Sequence, residues 1–88
     1  MVAFSAGTFL TMSYEYKIEH YGACEVNLNR LCQLLGEESL QNRNYSVSVE
    51  SINLVYFASA RTDAARLAFA KTIEYLLSIS DSVVVSEV

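Results

Sequence analysis

The most constraining feature of this sequence is a change of hydrophobic period around Gly22. Residues 13–21 alternate strictly, which predicts a half-buried strand. One side of that strand would carry Tyr14, Tyr16, Ile18 and His20. From Glu25 to Leu35 the apolar residues recur instead at the i, i+3, i+4, i+7 spacing of an amphipathic helix. That stripe consists of Leu28, Leu31, Cys32 and Leu35, and Gly36 follows it where a left-handed cap residue belongs.

A second alternating stretch, residues 44–60, changes phase along its length. Tyr45, Val47 and Val49 share one phase, whereas Leu54 and Tyr56 fall in the other. Because a shift of one residue moves side chains to the opposite face, the chain must turn or bulge at residues 50–53. Two strands are favoured. One bulged strand stays open, since no glycine is available there for a tight hairpin.

A second helix is predicted after Arg61, with Thr62 as the N-cap and Asp63 at the positive helix end. Its apolar arc on a helical wheel comprises Ala65, Phe69, Ala70, Ile73, Leu76 and Leu77. The polar residues 80–82 end this helix. Residues 83–85 are three valines, apolar on both faces, and predict a final strand that is central or covered.

The predicted order is β-α-β-β-α-β, which favours a two-layer α+β sandwich of ferredoxin-like type, with two helices on one face of an antiparallel sheet. Right-handed crossovers place the first and third strands in the centre. The rival is a β-α-β-α-β variant with one long bulged strand. Residues 12–88 are interpreted as a single domain, and residues 1–11 as an N-terminal extension or an added edge strand.

Charge and cysteine content exclude several classes of function. The net charge of −4 and six scattered basic residues argue against nucleic-acid binding, which needs a basic footprint. The apolar N-terminus lacks a basic n-region and is too short to span a membrane, so neither secretion nor a membrane role is expected. If Cys24 and Cys32 lie on one helix, their separation of eight residues places them about 12 Å apart along its axis, too far for a disulfide. Two free thiols indicate a reducing compartment, the cytoplasm.

No motif for catalysis, a metal or a cofactor is found in the sequence. It contains no glycine-rich phosphate loop, no Cys-x-x-Cys and no His-Glu-x-x-His, so no enzyme activity is predicted. His20, the only histidine, is interpreted as a partly exposed structural residue at a strand end rather than a general base. Glu19, its neighbour, would point to the opposite face.

Two surfaces are candidate sites. Arg61, Thr62 and Arg66 at the start of the second helix form a candidate anion site, although an ordinary capped helix with an edge arginine is the favoured interpretation. Arg66 also falls within the apolar arc, where a cation must reach solvent or a carboxylate. The exposed strand face is the candidate partner-binding surface, with a solvated face as its alternative. It comprises Glu15, Lys17, Glu19, Tyr21, Ser46, Ser48 and Glu50.

These observations favour a non-catalytic protein-interaction module, acting as a small inhibitor, an immunity-type protein or an accessory regulatory protein. The low charge content predicts some exposed apolar surface, and hence a protein partner or a homodimer. The alternative is a small-ligand sensor, or a small enzyme, with its site at a dimer interface. Its candidate residues are His20, Arg61, Arg66, Tyr14, Tyr16 and Tyr56.

Overall fold

The computed structural model describes residues 14–22 and 25–88. Six elements follow one another in the order β-α-β-β-α-β, as predicted. They are β1 (Tyr14–Tyr21), α1 (Leu28–Leu35), β2 (Tyr45–Ser51), β3 (Leu54–Ser59), α2 (Asp63–Ile79) and β4 (Ser82–Glu87). The predicted extension, residues 1–11, lies outside the described residues, as does Cys24.

The sheet has four strands in the order β2-β3-β1-β4, and every neighbouring pair is antiparallel. The fold is therefore an α+β sandwich with β1 and β3 in the centre, which is the position that the ferredoxin-like prediction gives them. Ile18, Val55 and Phe57 of the sheet pack with Leu31 of α1 and Leu76 of α2 in one core. Both helices thus cover the same face of the sheet, and no helix or strand of the described residues covers the other face.

The phase change in the sequence corresponds to a hairpin between two separate strands. Ser51 at the end of β2 pairs with Leu54 at the start of β3, so Ile52 and Asn53 form the connection. The register shifts between Val49 and Ser51, which is a β-bulge. The bulge turns the chain without a glycine, and the alternative of one long bulged strand is wrong.

The helix caps agree with the sequence, but the start of α1 does not. Gly36 has φ 74°, and its N–H donates to the carbonyls of Cys32 and Gln33, as a left-handed cap does. Thr62 caps α2 by accepting a hydrogen bond from the N–H of Ala65. α1 begins at Leu28 rather than Glu25, because the Asn27 side chain accepts from the Arg30 N–H and starts the helix there.

The buried face of α2 is rotated from the predicted arc, because two polar residues are buried. Thr72 donates its hydroxyl to the Ala68 carbonyl, and the Tyr75 hydroxyl accepts from the Asn27 N–H at 2.8 Å. With their polar atoms satisfied in this way, both side chains can enter the core. Ala70 and Leu77, which the wheel placed inside, are exposed instead.

The prediction that the last strand is central or covered is wrong. β4 is an edge strand beside β1, and Val84 and Val85 are 47% and 43% exposed. Three successive valines show only that both faces of the strand are apolar, and not that neighbouring elements cover them. Within the described residues, no helix is both long and apolar enough to cross a membrane.

Candidate functional site

The face of the sheet opposite the helices brings the predicted partner-binding residues together. Glu15, Lys17 and Glu19 of β1 lie opposite Ala58, Tyr56 and Leu54 of β3, and Ser46 and Ser48 of β2 lie opposite Ala58 and Tyr56. Tyr21 pairs with Ser82 of β4. Glu50, at the bulge, accepts a hydrogen bond from the Ser48 hydroxyl at 3.0 Å. All seven predicted residues therefore belong to one surface, which we call the open face.

The open face includes further residues that sequence reasoning did not assign to it. They are Leu54, Tyr56 and Ala58 from β3 and Ser82, Val84 and Ser86 from β4. The sequence contained a signal for the β3 residues, since residues 54 and 56 fall in the opposite phase to those of β2 that point to the helices. Successive side chains of a strand point to opposite faces of the sheet. Leu54 and Tyr56 on β3 and Val84 on the edge strand β4 make the open face more apolar than its predicted members alone.

Acidic side chains on the open face hold its tyrosines in place. The Tyr56 hydroxyl donates to Glu15 Oε1 at 2.9 Å, and this bond, with burial and the charges of Glu15 and Glu50, raises the pKa of Tyr56 above 10.0. The neighbouring Glu19 likewise raises the pKa of Tyr21. Both tyrosines are therefore neutral near pH 7. Glu15, Glu19 and Glu50 outnumber Lys17, so the open face is mildly acidic.

A second candidate site is a cavity of about 310 Å³ between the start of β1 and the start of α2. It contains four of the six residues proposed for a small ligand: Tyr14, Tyr16, Arg61 and Arg66. The Arg61 guanidinium lies over the Tyr14 ring, 4.9 Å from its centre. Phe69 packs against Tyr16 with ring centres 4.8 Å apart and forms an apolar wall.

The predicted anion site is only partly assembled in this cavity. Arg66 falls within the apolar arc of the helical wheel, and its side chain reaches solvent there and pairs with the Asp63 carboxylate at 2.6 Å. The Thr62 hydroxyl is committed to the helix, since it accepts from the Ala65 N–H and donates to Asn44 Oδ1 at 3.1 Å. The two arginines thus line the cavity, whereas Thr62 shapes the helix end beside it.

His20 lies apart from both sites, and its predicted partial exposure is wrong. The side chain is 0% exposed, with Nδ1 3.2 Å from the Ser80 hydroxyl. Nε2 has no hydrogen-bond partner among the described residues. Burial lowers the pKa of His20 below 6.5 because an enclosed ring resists carrying charge. Its core position also separates it from Tyr56, which lies on the open face.

A third depression, between α1 and α2, was not anticipated from the sequence. It measures about 630 Å³ and is lined by Arg30, Lys71, Glu74 and Tyr75 among others. Its walls come from helices far apart in the chain, so no local pattern signals it. No cluster of three potential metal ligands occurs within residues 14–22 and 25–88.

Comparisons with protein families, with curated proteins and with solved structures found no match to this chain.

Proposed function

We propose that this protein is a non-catalytic interaction module that binds another protein through the open face, as an inhibitor, an immunity-type protein or an accessory subunit. The observation that carries the proposal is the uncovered sheet face, where apolar Leu54, Tyr56 and Val84 lie among the charged residues of β1. Antiparallel sheets tolerate water on one face, but this face also carries Tyr21 and Tyr56, and tyrosine is enriched at protein interfaces.

The composition of the open face supports a protein partner rather than a small molecule. The seven predicted residues spread across β1 and β2, and none of them lines the cavity beside α2 or the depression between the helices. A broad surface without a pocket suits another protein surface, whereas small ligands are bound in concave sites. Its three carboxylates and single lysine favour a partner with a basic patch.

The test is retention of a partner from the native source by the full chain and by two charge-reversal variants. Lys17→Glu reverses the one cation of the open face. Lys71→Glu makes the same change in the depression between the helices. We expect wild type and Lys71→Glu to retain the same protein. The dissociation constant of Lys17→Glu for that protein should differ from the wild-type value by about tenfold or more, equivalent to about 1.4 kcal/mol. Equal binding by all three chains would contradict the proposal.

A second candidate function, a small-ligand sensor, is favoured by the cavity beside α2. Arg61 and Arg66 supply positive charge there, and Tyr14, Tyr16 and Phe69 supply aromatic walls. This combination suits a ligand with an anionic group and an aromatic or apolar body. No paired acid and base lie among these residues, so binding rather than catalysis is the activity proposed.

The probes for this candidate are benzoate and phenyl phosphate, measured by thermal shift. Binding stabilises the folded state by mass action, so we expect a melting temperature that rises and saturates with probe concentration. Arg61→Gln should abolish the shift, and Arg30→Gln, outside the cavity, should preserve it. A shift that is absent, or unaffected by Arg61→Gln, would exclude the ligand site.

A further inference from the structure

The two edges of the sheet differ in a way that bears on self-association. β2 forms one edge and β4 the other. An unpaired edge strand presents a row of free N–H and C=O groups to which another strand can pair, and proteins usually protect such edges. Among the described residues, a loop pairs with one of these edges and nothing pairs with the other.

The β2 edge is closed by the chain's own loop. Val47 donates its N–H to the Leu40 carbonyl at 2.8 Å, and the Asn42 N–H donates to the Tyr45 carbonyl at 2.9 Å. Gln41 forms a further bridge with Ser46. The bulge before Ser51 distorts the remainder of this edge. A second strand therefore cannot add to β2 without displacing residues 40–42.

Within residues 14–22 and 25–88, no backbone group pairs with the outer side of β4. The Val88 N–H donates to the Glu15 carbonyl at 2.9 Å. Because backbone groups alternate in direction along an antiparallel strand, those of Ser86 and Val84 also face β1. The N–H and C=O groups of Val83, Val85 and Glu87 then point away from the sheet. No strand lies beyond β4 in the described part of the chain.

The side chains of this edge are apolar and continue onto α2. Val85 faces the helix side, opposite Ile18, and is 43% exposed. The hydrogen bond between the Asn27 N–H and the Tyr75 hydroxyl shows which side of α2 faces α1. Leu77 lies about 200° around the helix from Tyr75, on the side toward β4, and it is exposed. β4 carries no lysine, proline or bulge, which are the usual guards of an edge.

Its charge pattern allows β4 to pair with a second copy of itself without opposing like charges. In an antiparallel pair centred on Val85, Val85 faces Val85 of the other copy and Glu87 faces Val83, so no like charges are opposed. A pair centred on Val84 would instead place Asp81 opposite Glu87, which is unfavourable. The closed β2 edge prevents β4 from adding to β2 of another copy, so association stops at a two-fold dimer instead of a fibre.

We propose that β4 pairs antiparallel with β4 of a second copy, centred on Val85, to form a continuous eight-stranded sheet across a two-fold axis. The outward N–H and C=O groups of Val83, Val85 and Glu87 make the inter-chain hydrogen bonds, and Val85 and Leu77 are buried beside them. The β4 pairing deepens the proposed function and rests on it, because both take contact with another protein chain as the mode of action. The open face stays available on both copies.

The experiment is mass determination by sedimentation equilibrium of the full chain and three variants, each checked for folding by circular dichroism. Val85→Lys places a charge at the edge, and Val85→Pro removes an outward N–H that the proposed monomer fold does not use. Val49→Lys is the matched control, because Val49 is 39% exposed on the opposite edge and also faces the helix side. We expect about twice the 9.8 kDa chain mass for wild type and Val49→Lys, and the chain mass for both Val85 variants.

Amide hydrogen exchange identifies the surface independently of any substitution. The amides of Val83, Val85 and Glu87 should become protected by about tenfold or more as the wild-type concentration rises into the dimer range. A wild-type monomer at all concentrations, or a dimer whose three amides exchange freely, would overturn the proposal. A dimer broken by Lys17→Glu but not by Val85→Lys would place self-association on the open face, and would refute the edge pairing while leaving the proposed function standing.

Discussion

Two buried tyrosines, Tyr45 and Tyr75, differ in whether their hydroxyl groups have partners. The Tyr75 hydroxyl accepts from the Asn27 N–H, whereas the Tyr45 hydroxyl has no hydrogen-bond partner among the described residues. A buried polar group without a partner costs free energy, and its removal is neutral or stabilising. We therefore expect Tyr45→Phe to leave the free energy of unfolding unchanged or to raise it. Tyr75→Phe should lower it by about 1 kcal/mol.

Urea denaturation of both variants measures this difference. The two substitutions remove the same atom from the same residue type, so each is the control for the other. Equal losses of stability in the two variants would contradict the account of the Tyr45 hydroxyl.

The buried ring of His20 makes stability depend on pH. Burial holds its pKa below the unfolded value of 6.5, so the unfolded chain binds more protons between those two pKa values. The free energy of unfolding should therefore fall as the pH drops from about 7.5 to about 5.5, ahead of most carboxyl titration. His20→Gln should flatten this dependence. Thermal melts across that range provide the measurement, and identical slopes in the two proteins would show that His20 is not the titrating group.

At the scale of elements, α2 depends on its cap. The Thr62 hydroxyl accepts from the Ala65 N–H and also donates to Asn44 in the loop before β2. Thr62→Ala should lower the free energy of unfolding by about 1 kcal/mol, the usual value of an N-cap. Thr62→Ser keeps the hydroxyl and should retain most of that stability. Chemical denaturation distinguishes the two, and an equal loss in both variants would assign the effect to the methyl group instead.

Helices and strands whose hydrophobic residues recur at a regular spacing were predictable from the sequence. The alternation of residues 14–21, the stripe from Leu28 to Leu35 and the phase change before Leu54 correspond to β1, α1 and the β2–β3 hairpin. The same alternation predicted the members of the open face contributed by β1 and β2. The hydrophobic period shows which residues of a helix or strand share a face. This can be deduced without knowing which element packs beside it.

What the sequence did not show depends on tertiary neighbours. Thr72 and Tyr75 are buried because their polar atoms find partners, and this moved the buried face of α2 away from Leu77. The exposure of β4 depends on how far the helices extend over the sheet. The part of the open face from β3 and β4 follows only from strand pairing, which residues distant in sequence determine.

At the scale of the whole molecule, the fold separates three surfaces. The helices cover one face of the sheet, and the open face is acidic with apolar residues on β3 and β4. The β4 edge is apolar, and its outward backbone groups pair with no other described residue. Because the open face and the β4 edge do not overlap at Val85, the proposed dimer would present two open faces for partners. Each copy would then bind independently unless the partner spans both.

The most direct test of the central claim, that the open face is the contact surface, is site-specific photo-crosslinking in the native source. A photoreactive residue replaces Glu19 on the open face or, as the control, Glu74, which is exposed on α2. The account predicts a discrete crosslinked protein from position 19 and none from position 74. Crosslinking of that protein from position 74 but not from position 19 would contradict it.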